Sequence, residues 1–229
     1  MKKTNLGIVI ALTIMILWFT SLTFLLLLPK EWILIALIPG ILFQTHLYTG
    51  LFITAHDAMH GTVAPNHTKL NDIIGSISVF LYALFFYKQL KAKHHFHHEF
   101  PGTEKDPDFH TEGKPRFFQW YVHFLLNYLR WPQLIGMAII FNVLHHLAGI
   151  PLENLLLFWV APSLLSTFQL FYFGTYLPHR RTEKPFHDKH NAHSLNFSKL
   201  ASLLSCYHFG GFHHKHHLKP GVEWWRLAK

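Results

Sequence analysis

A chain of 229 residues that is half hydrophobic and only 14% charged, against roughly 25% in an ordinary soluble domain, is composed for lipid. Its formal charge of +8 calls for no nucleic acid, because basic flanks against an anionic leaflet account for it. A single cysteine, Cys206, excludes a disulfide framework, a thiolate metal cage and an iron–sulfur cluster, while the 21 histidines outnumber the 12 acidic residues.

Taken in chain order, four stretches carry no charge and are long enough to cross a hydrocarbon core, which needs roughly 20 helical residues. They run over residues 5–28, 32–55, 132–150 and 154–178. The first is too long an apolar run for the core of a cleavable signal peptide, and no small-residue cleavage site follows it. Pro29-Lys30-Glu31 and Gly149-Ile150-Pro151 are short connections, so the spans pair into two hairpins. Ile73 to Tyr87 and Phe117 to Leu129 are apolar but too short to cross at about 1.5 Å per residue, and are expected as interfacial helices. The fold class is therefore an all-α membrane protein. One domain over residues 1–229 places four transmembrane helices in two hairpins under a cytoplasmic, histidine-rich helical cap.

The charges fix the expected orientation. Four spans put both tails and the long central connection on one side, and these segments hold nineteen of the 20 lysines and arginines. Only Lys30 falls opposite. The positive-inside rule then makes that common side cytoplasmic.

Histidines gather on the same side, although the parity of spans made no use of them. "HDAMH" closes the second span and sets His56 and His60 four apart, on one helical face. "HHFHH" gives His94, His97 and His98 at i, i+3 and i+4, and "HHKHH" repeats this with His213, His216 and His217. His179 ends the fourth span. Nine imidazoles exceed the needs of one four-coordinate ion and suit two; donors that are all nitrogen fit Zn, Cu, Fe or Ni. Neither HExxH nor a Glu-x-x-His pair is present, which excludes a zincin and a ferritin-like carboxylate site. His145 and His146 fall at the far end of the third span, and His46 within the second span either lines a channel or bonds between helices.

The three boxes around two membrane hairpins resemble the membrane fatty-acid desaturase and hydroxylase superfamily. "HDAMHG", "HHEFPGTEKDPDFH", "YFGTYLPHRR" and "CYHFGGFHHKHHL" together look like its small β-carotene ketolases. The resemblance implies two iron ions, use of O2, and a metal set of His56, His60, His94, His97, His98, His179, His213, His216 and His217. His95, His208 and His214 adjoin the boxes as runners-up. Asp57, Asp106 and Asp108 belong to the motifs as candidate catalytic carboxylates that accept the second N–H of a ligating imidazole. Asp57 stands first, since it lies between two candidate ligands. Four positions before His179, where desaturases have Asn, this chain has Thr175.

The implied substrate is a carotenoid with an unsubstituted β-ionone ring, oxidised to a ketone at C4 and C4′. Phe85, Phe86, Tyr87, Phe171, Tyr172 and Phe173 either shape an apolar tunnel or are ordinary core and lipid-facing residues. Electrons are expected from a separate donor such as a ferredoxin, docked on the basic face, because the chain has no flavin, haem or cluster motif. The competing readings are a carotenoid ring hydroxylase or acyl-lipid desaturase on the same scaffold, and a histidine-rich metal transporter.

Overall fold

The computed structural model describes residues 5–110, 116–183 and 185–229. Lys2, Lys3, Lys114 and Lys184, which enter the charge balance, lie outside the described residues. Among the described residues the chain is helical, with no strand.

Helices α1 (Leu6–Leu26) and α2 (Lys30–Met59) form the first hairpin, turning at Leu27 to Pro29. On α1 the buried positions Gly7, Ala11, Ile14, Trp18, Leu22 and Leu25 recur every three or four residues, one packed stripe. Val9, Leu12, Ile16 and Phe19 are apolar and exposed, as expected of a helix whose outer face meets lipid. Inside the hairpin, Ser21 Oγ donates to Gln44 Oε1 at 2.6 Å. Buried polar pairs of this kind hold membrane helices together where no hydrophobic force acts between them.

The second long element, α7 (Leu152–His179), starts against the α1–α2 turn. Asn154 Nδ2 donates to the carbonyls of Leu25, Leu26 and Leu28 at 3.3, 3.0 and 2.9 Å. These belong to the end of α1, whose last carbonyls have no partner within the helix. Further along, Thr49 Oγ1 on α2 lies 2.9 Å from Ser166 Oγ and donates to Gln169 Oε1 at 2.6 Å on α7. So α2 and α7 run side by side in the same direction and finish at the same end of the molecule.

Two prolines shape α7. Pro162 and Pro178 each lack an N–H and crowd the carbonyl four residues back. Ahead of each the helix widens into a π turn, Leu156–Val160 and Tyr172–Tyr176, which spans that carbonyl. Such single π turns recur at functional sites; the second one here leads directly into His179.

Between α2 and α7 come α3 (Thr68–Ala83), α4 (Tyr87–Glu99), α5 (Phe117–Tyr128) and α6 (Trp131–Leu147). The α3–α4 pair bends by 100° and the α5–α6 pair by 88°. The interfacial helix expected over Ile73 to Tyr87 begins earlier, at Thr68, because polar Asn71 is inside the packing: its Nδ2 donates to the Ala58 carbonyl at 2.7 Å. It ends earlier too, at a left-handed Leu84 (φ 57). By length and composition three helices suffice to cross a membrane: α1, α2 and α7. The expected third span, residues 132–150, is α6, twelve α-helical residues and a five-residue π turn, which does not reach that length alone. Past α7, α8 (Lys199–Cys206) and α9 (Phe209–Leu218) fold back over the ends of α2 and α4.

Candidate metal centre

Four elements deliver histidines to one place. The last turn of α2 carries His56, and its cap is His60. α4 carries His94, His97 and His98, α7 ends on His179, and α9 carries His213, His216 and His217. The entry to α9 is unusual. Tyr207 and His208 both have positive φ, 46° and 72°, a conformation rare for a residue as bulky as tyrosine. The Tyr207 ring stacks on His46 at 4.4 Å, and its hydroxyl donates to the His46 carbonyl at 3.1 Å. His46 is thus a helix–helix contact. Gly210 and Gly211 then let α9 pass close to its neighbours: a Cβ at Gly211 would sit 2.3 Å from Ser202 Oγ.

The nine expected histidines divide into two groups. His56, His60, His94, His98 and His216 form one; His97, His179, His213 and His217 form the other, fully buried. Within each group the candidate ligand atoms lie within 4.8 Å of one another. The division crosses the sequence boxes. From α4 the i, i+4 pair His94 and His98 joins the first group while His97 joins the second. From α9 the i, i+4 pair His213 and His217 joins the second while His216 joins the first. Each HxxHH helix therefore lies between the two groups and serves both.

The ring nitrogens face inward. His60 and His94 approach Nε2 to Nε2 at 2.7 Å, and His98 and His216 at 3.0 Å. In the second group His213 Nε2 is 2.9 Å from that of His179 and 3.0 Å from that of His217, which in turn is 3.2 Å from that of His97. The outer nitrogens of two rings are committed. His97 Nδ1–H donates to both carboxylate oxygens of Asp106, at 2.9 and 3.0 Å. His179 Nδ1–H donates to the Asn191 carbonyl at 2.8 Å. A neutral ring such as His179 has one N–H, so its Nε2 is a bare lone pair aimed at the others. Ring nitrogens crowded in this way are brought together as a donor set that one cation can take at once. The all-imidazole donor set fits a divalent transition metal.

Burial holds these rings neutral. It pushes His60 and His98 down to about 2, with His56 and His60 respectively the next cause, and pushes His94, His213, His216 and His217 well below the ordinary imidazole value. His97 departs from the pattern: burial opposes its charge, but the adjacent Asp106 and Asp108 carboxylates outweigh it and raise it to about 9. Burial raises Asp108 to about 6.

The three carboxylates sit differently. Asp106 makes the direct bonds to His97 and is itself gripped by the N–H groups of Gly102 and Asp108, each at 2.8 Å. Asp108 lies 3.7 Å from His97 Nδ1 and accepts from the Tyr128 hydroxyl. Asp57 comes no closer than 3.5 Å to His56 Nδ1; its firm partner is the Trp224 N–H at 3.0 Å, which ties down the C-terminal tail. His95, His208 and His214 join neither group. His95 Nε2 meets the Met59 carbonyl at 3.2 Å, and His214 bonds Asp188 at 2.8 Å. Sequence reasoning missed the Asn191 carbonyl, which no side chain announces, and the tail contact of Trp224.

A cavity of about 530 Å³ opens from this site. His56, His94, His97 and His213 floor it, drawn from both groups, with Thr175 and Asp108 beside them. Its walls are Phe52, Tyr82, Phe85, Phe141 and Trp159, and it runs between α2, α6 and α7. Of the six aromatic residues weighed as tunnel formers, Phe85 lines it; Phe171 is instead packed on Trp120 and Tyr121.

Comparison with known proteins adds lineage to this geometry. The fatty acid desaturase family model matches residues 30–142 and 127–229. A beta-carotene ketolase of Paracoccus sp. (strain N81106 / MBIC 01143) is 45% identical over 183 residues, 80% of this chain and 74% of the relative. A zeaxanthin 4-ketolase of Chlamydomonas reinhardtii is 41% identical over 239 residues, covering 97% of this chain and 52% of the relative. A beta-carotene ketolase of Haematococcus lacustris is 44% identical over 187 residues, 79% of this chain and 58% of the relative. No solved structure matches.

Proposed function

The chain belongs to the fatty acid desaturase family, and from that premise we propose that it is a membrane di-iron oxygenase that introduces keto groups at C4 and C4′ of the β-ionone rings of β-carotene. The observation that carries the reading is the floor of the apolar cavity, built from both groups of converging imidazoles. The ketolase relatives supply the carotenoid and the position of attack.

His56, His60, His94, His98 and His216 would hold one iron, and His97, His179, His213 and His217 would hold the other. Once bound, the irons, with O2 and electrons from a separate protein such as a ferredoxin, supply oxidation of an allylic C–H bond. The chain's own share is placement. Asp106 and the Asn191 carbonyl take the Nδ1–H of His97 and His179 and fix the tilt of both rings, directing Nε2 of each at its group. Asp108, held by Tyr128, backs the same ring, and Asp57 locks the tail across the end of α2. The cavity walls exclude water and aim one ring carbon at the floor. A first oxygen inserted at C4 gives an alcohol; a second at the same carbon gives a geminal diol, which loses water to leave the ketone.

In the membrane, α6 serves as the fourth span. Because α2 and α7 both finish at the histidines, the chain has to return to the opposite face between them, and α6 is the apolar element that leads to Ile150 and the start of α7. Both termini and the metal centre then face the cytoplasm, a reading supported by the nineteen basic residues on that side. That face suits an acidic electron donor. Expression in cells that accumulate β-carotene tests the function. Products should gain one oxygen and lose two hydrogens per step, through a monoketone to a diketone. Alcohols at C3 alone, or unchanged carotenoid beside newly unsaturated acyl chains, would assign the chain to another activity of the same scaffold.

A further inference from the structure

The catalytic cavity does not close at its far end. Its α7 wall extends from Thr175 to Trp159, about 24 Å of helix at 1.5 Å per residue. On the α6 side Ala138 and Asn142 line it, and the same two residues also line a second concavity, of about 540 Å³, on the outer face of α6. This groove passes over Ile139 and Val143 to His146 and Leu147. Ala138 and Asn142 are exposed and belong to both, so the two concavities adjoin along this edge of α6. At the end of the groove stands His146, exposed, its ring 4.5 Å from that of His145. His145 is committed to the Ile150 carbonyl at 2.9 Å.

We infer that the outer groove of α6 seats the distal ring of a two-ringed carotenoid, where His146 and Asn142 read a polar substituent on that ring. The inference rests on the ketolase reading and specifies its substrate site. A conjugated polyene is rigid and cannot fold back. With C4 of one ring at the floor, the chain must run the length of the cavity, and the other ring must emerge where the cavity opens. Ile139 and Val143 suit a methylated ring, while His146 has a ring N–H for an oxygen on it, and Asn142, which gives one amide N–H to the Ala138 carbonyl at 2.8 Å, has its second. The groove therefore matters most in the second half of the reaction. The monoketone must enter reversed, with its new carbonyl in the groove.

Two substitutions test this, with β-carotene and a shortened polyene that carries one β-ionone ring as paired substrates. Ile139→Trp, at a residue that lines the groove and not the catalytic cavity, fills the groove. It is expected to cut ketolation of β-carotene by about tenfold or more, the scale at which pockets reject added bulk, while leaving the short substrate near its wild-type rate. That retained rate also reports correct folding. His146→Leu is expected to raise the monoketone-to-diketone ratio by about threefold or more, the worth of one hydrogen bond. Wild-type turnover of β-carotene by the Ile139→Trp protein would overturn the inference and leave the groove to lipid chains. If that variant loses both substrates, the His146→Leu ratio decides, and an unchanged ratio overturns it. Should the wild-type protein ketolate neither substrate, the ketolase reading itself fails and the groove assignment falls with it.

Discussion

Asp106 shows how a single side chain can set the state of a ligand. Two backbone N–H groups grip its carboxylate, and the carboxylate in turn takes the Nδ1–H of His97. Replacing it with Asn keeps the shape but removes the charge and one of the two acceptor oxygens. Losing such a partner typically weakens a metal site by about 10–100-fold. Asp106→Asn is therefore expected to lower iron content from two towards one per chain, with activity falling in parallel; two irons retained at full affinity would refute the role. Eight of the nine histidines stood out by box spacing, because i, i+3 and i+4 rings cannot all be accidental; His179, which stands alone, stood out by its place at the end of the fourth span and by the resemblance. Their division was not. Residues i+3 and i+4 differ by about 100° of helical rotation, enough to point His97 and His98 at different groups when the helix lies between them. The same rotation misled the ranking of Asp57. Adjacent to His56 in sequence, it projects toward Trp224, whereas Asp106 reaches His97 through a loop that only the folded chain brings near.

At the scale of elements, the cap is aimed by local irregularities. The π turn Tyr172–Tyr176 adds a residue to the helix ahead of Pro178 and so sets the angle at which His179 leaves α7. Pro178→Ala restores the N–H and removes the crowding, and lets this segment revert to a regular α-helix. The expected outcome is a melting temperature equal to or above wild type, since interior proline costs about 3 kcal/mol, together with loss of metal at the His179 group. Thermal melting and metal analysis on one preparation check it. Gly211 sets the other angle. Its Cβ in Gly211→Ala would fall 2.3 Å from Ser202 Oγ and 2.8 Å from Ser202 Cβ; overpacking of this kind costs roughly 1–3 kcal/mol. The variant should melt lower, and Ser202→Gly added to it should restore part of the loss. Proline and glycine were visible in the sequence, but their effect depends on which carbonyl or hydroxyl lies opposite, and that is tertiary information.

For the whole molecule, hydropathy located the long helices because lipid demands uninterrupted apolar runs. It read α6 as their equal, since absence of charge says nothing of where a helix ends; α6 stops at Leu147, short of the expected Ile150, and an 88° bend sets it off from α5. Nor does hydropathy report what joins the halves. Asn154 binds α7 to the end of α1, while at the opposite end the histidine groups gather α2, α4, α7 and α9, beside contacts such as that of His95 with the Met59 carbonyl. Metal should therefore contribute to stability unevenly. Ligands that bind only the folded state raise its stability by mass action, and here that gain concentrates where bare imidazole nitrogens otherwise face one another. Removing iron with a chelator is expected to lower the melting temperature and to speed amide exchange in α4 and α9. The α1–α2 hairpin and the first half of α7 should stay protected, because Ser21–Gln44, Thr49–Gln169 and Asn154 hold without metal. Adding back ferrous iron should reverse both changes. Exchange that rises equally in α1 and α4 would mean that the membrane hairpins and the cap unfold as one unit, with the histidine groups bearing no special share.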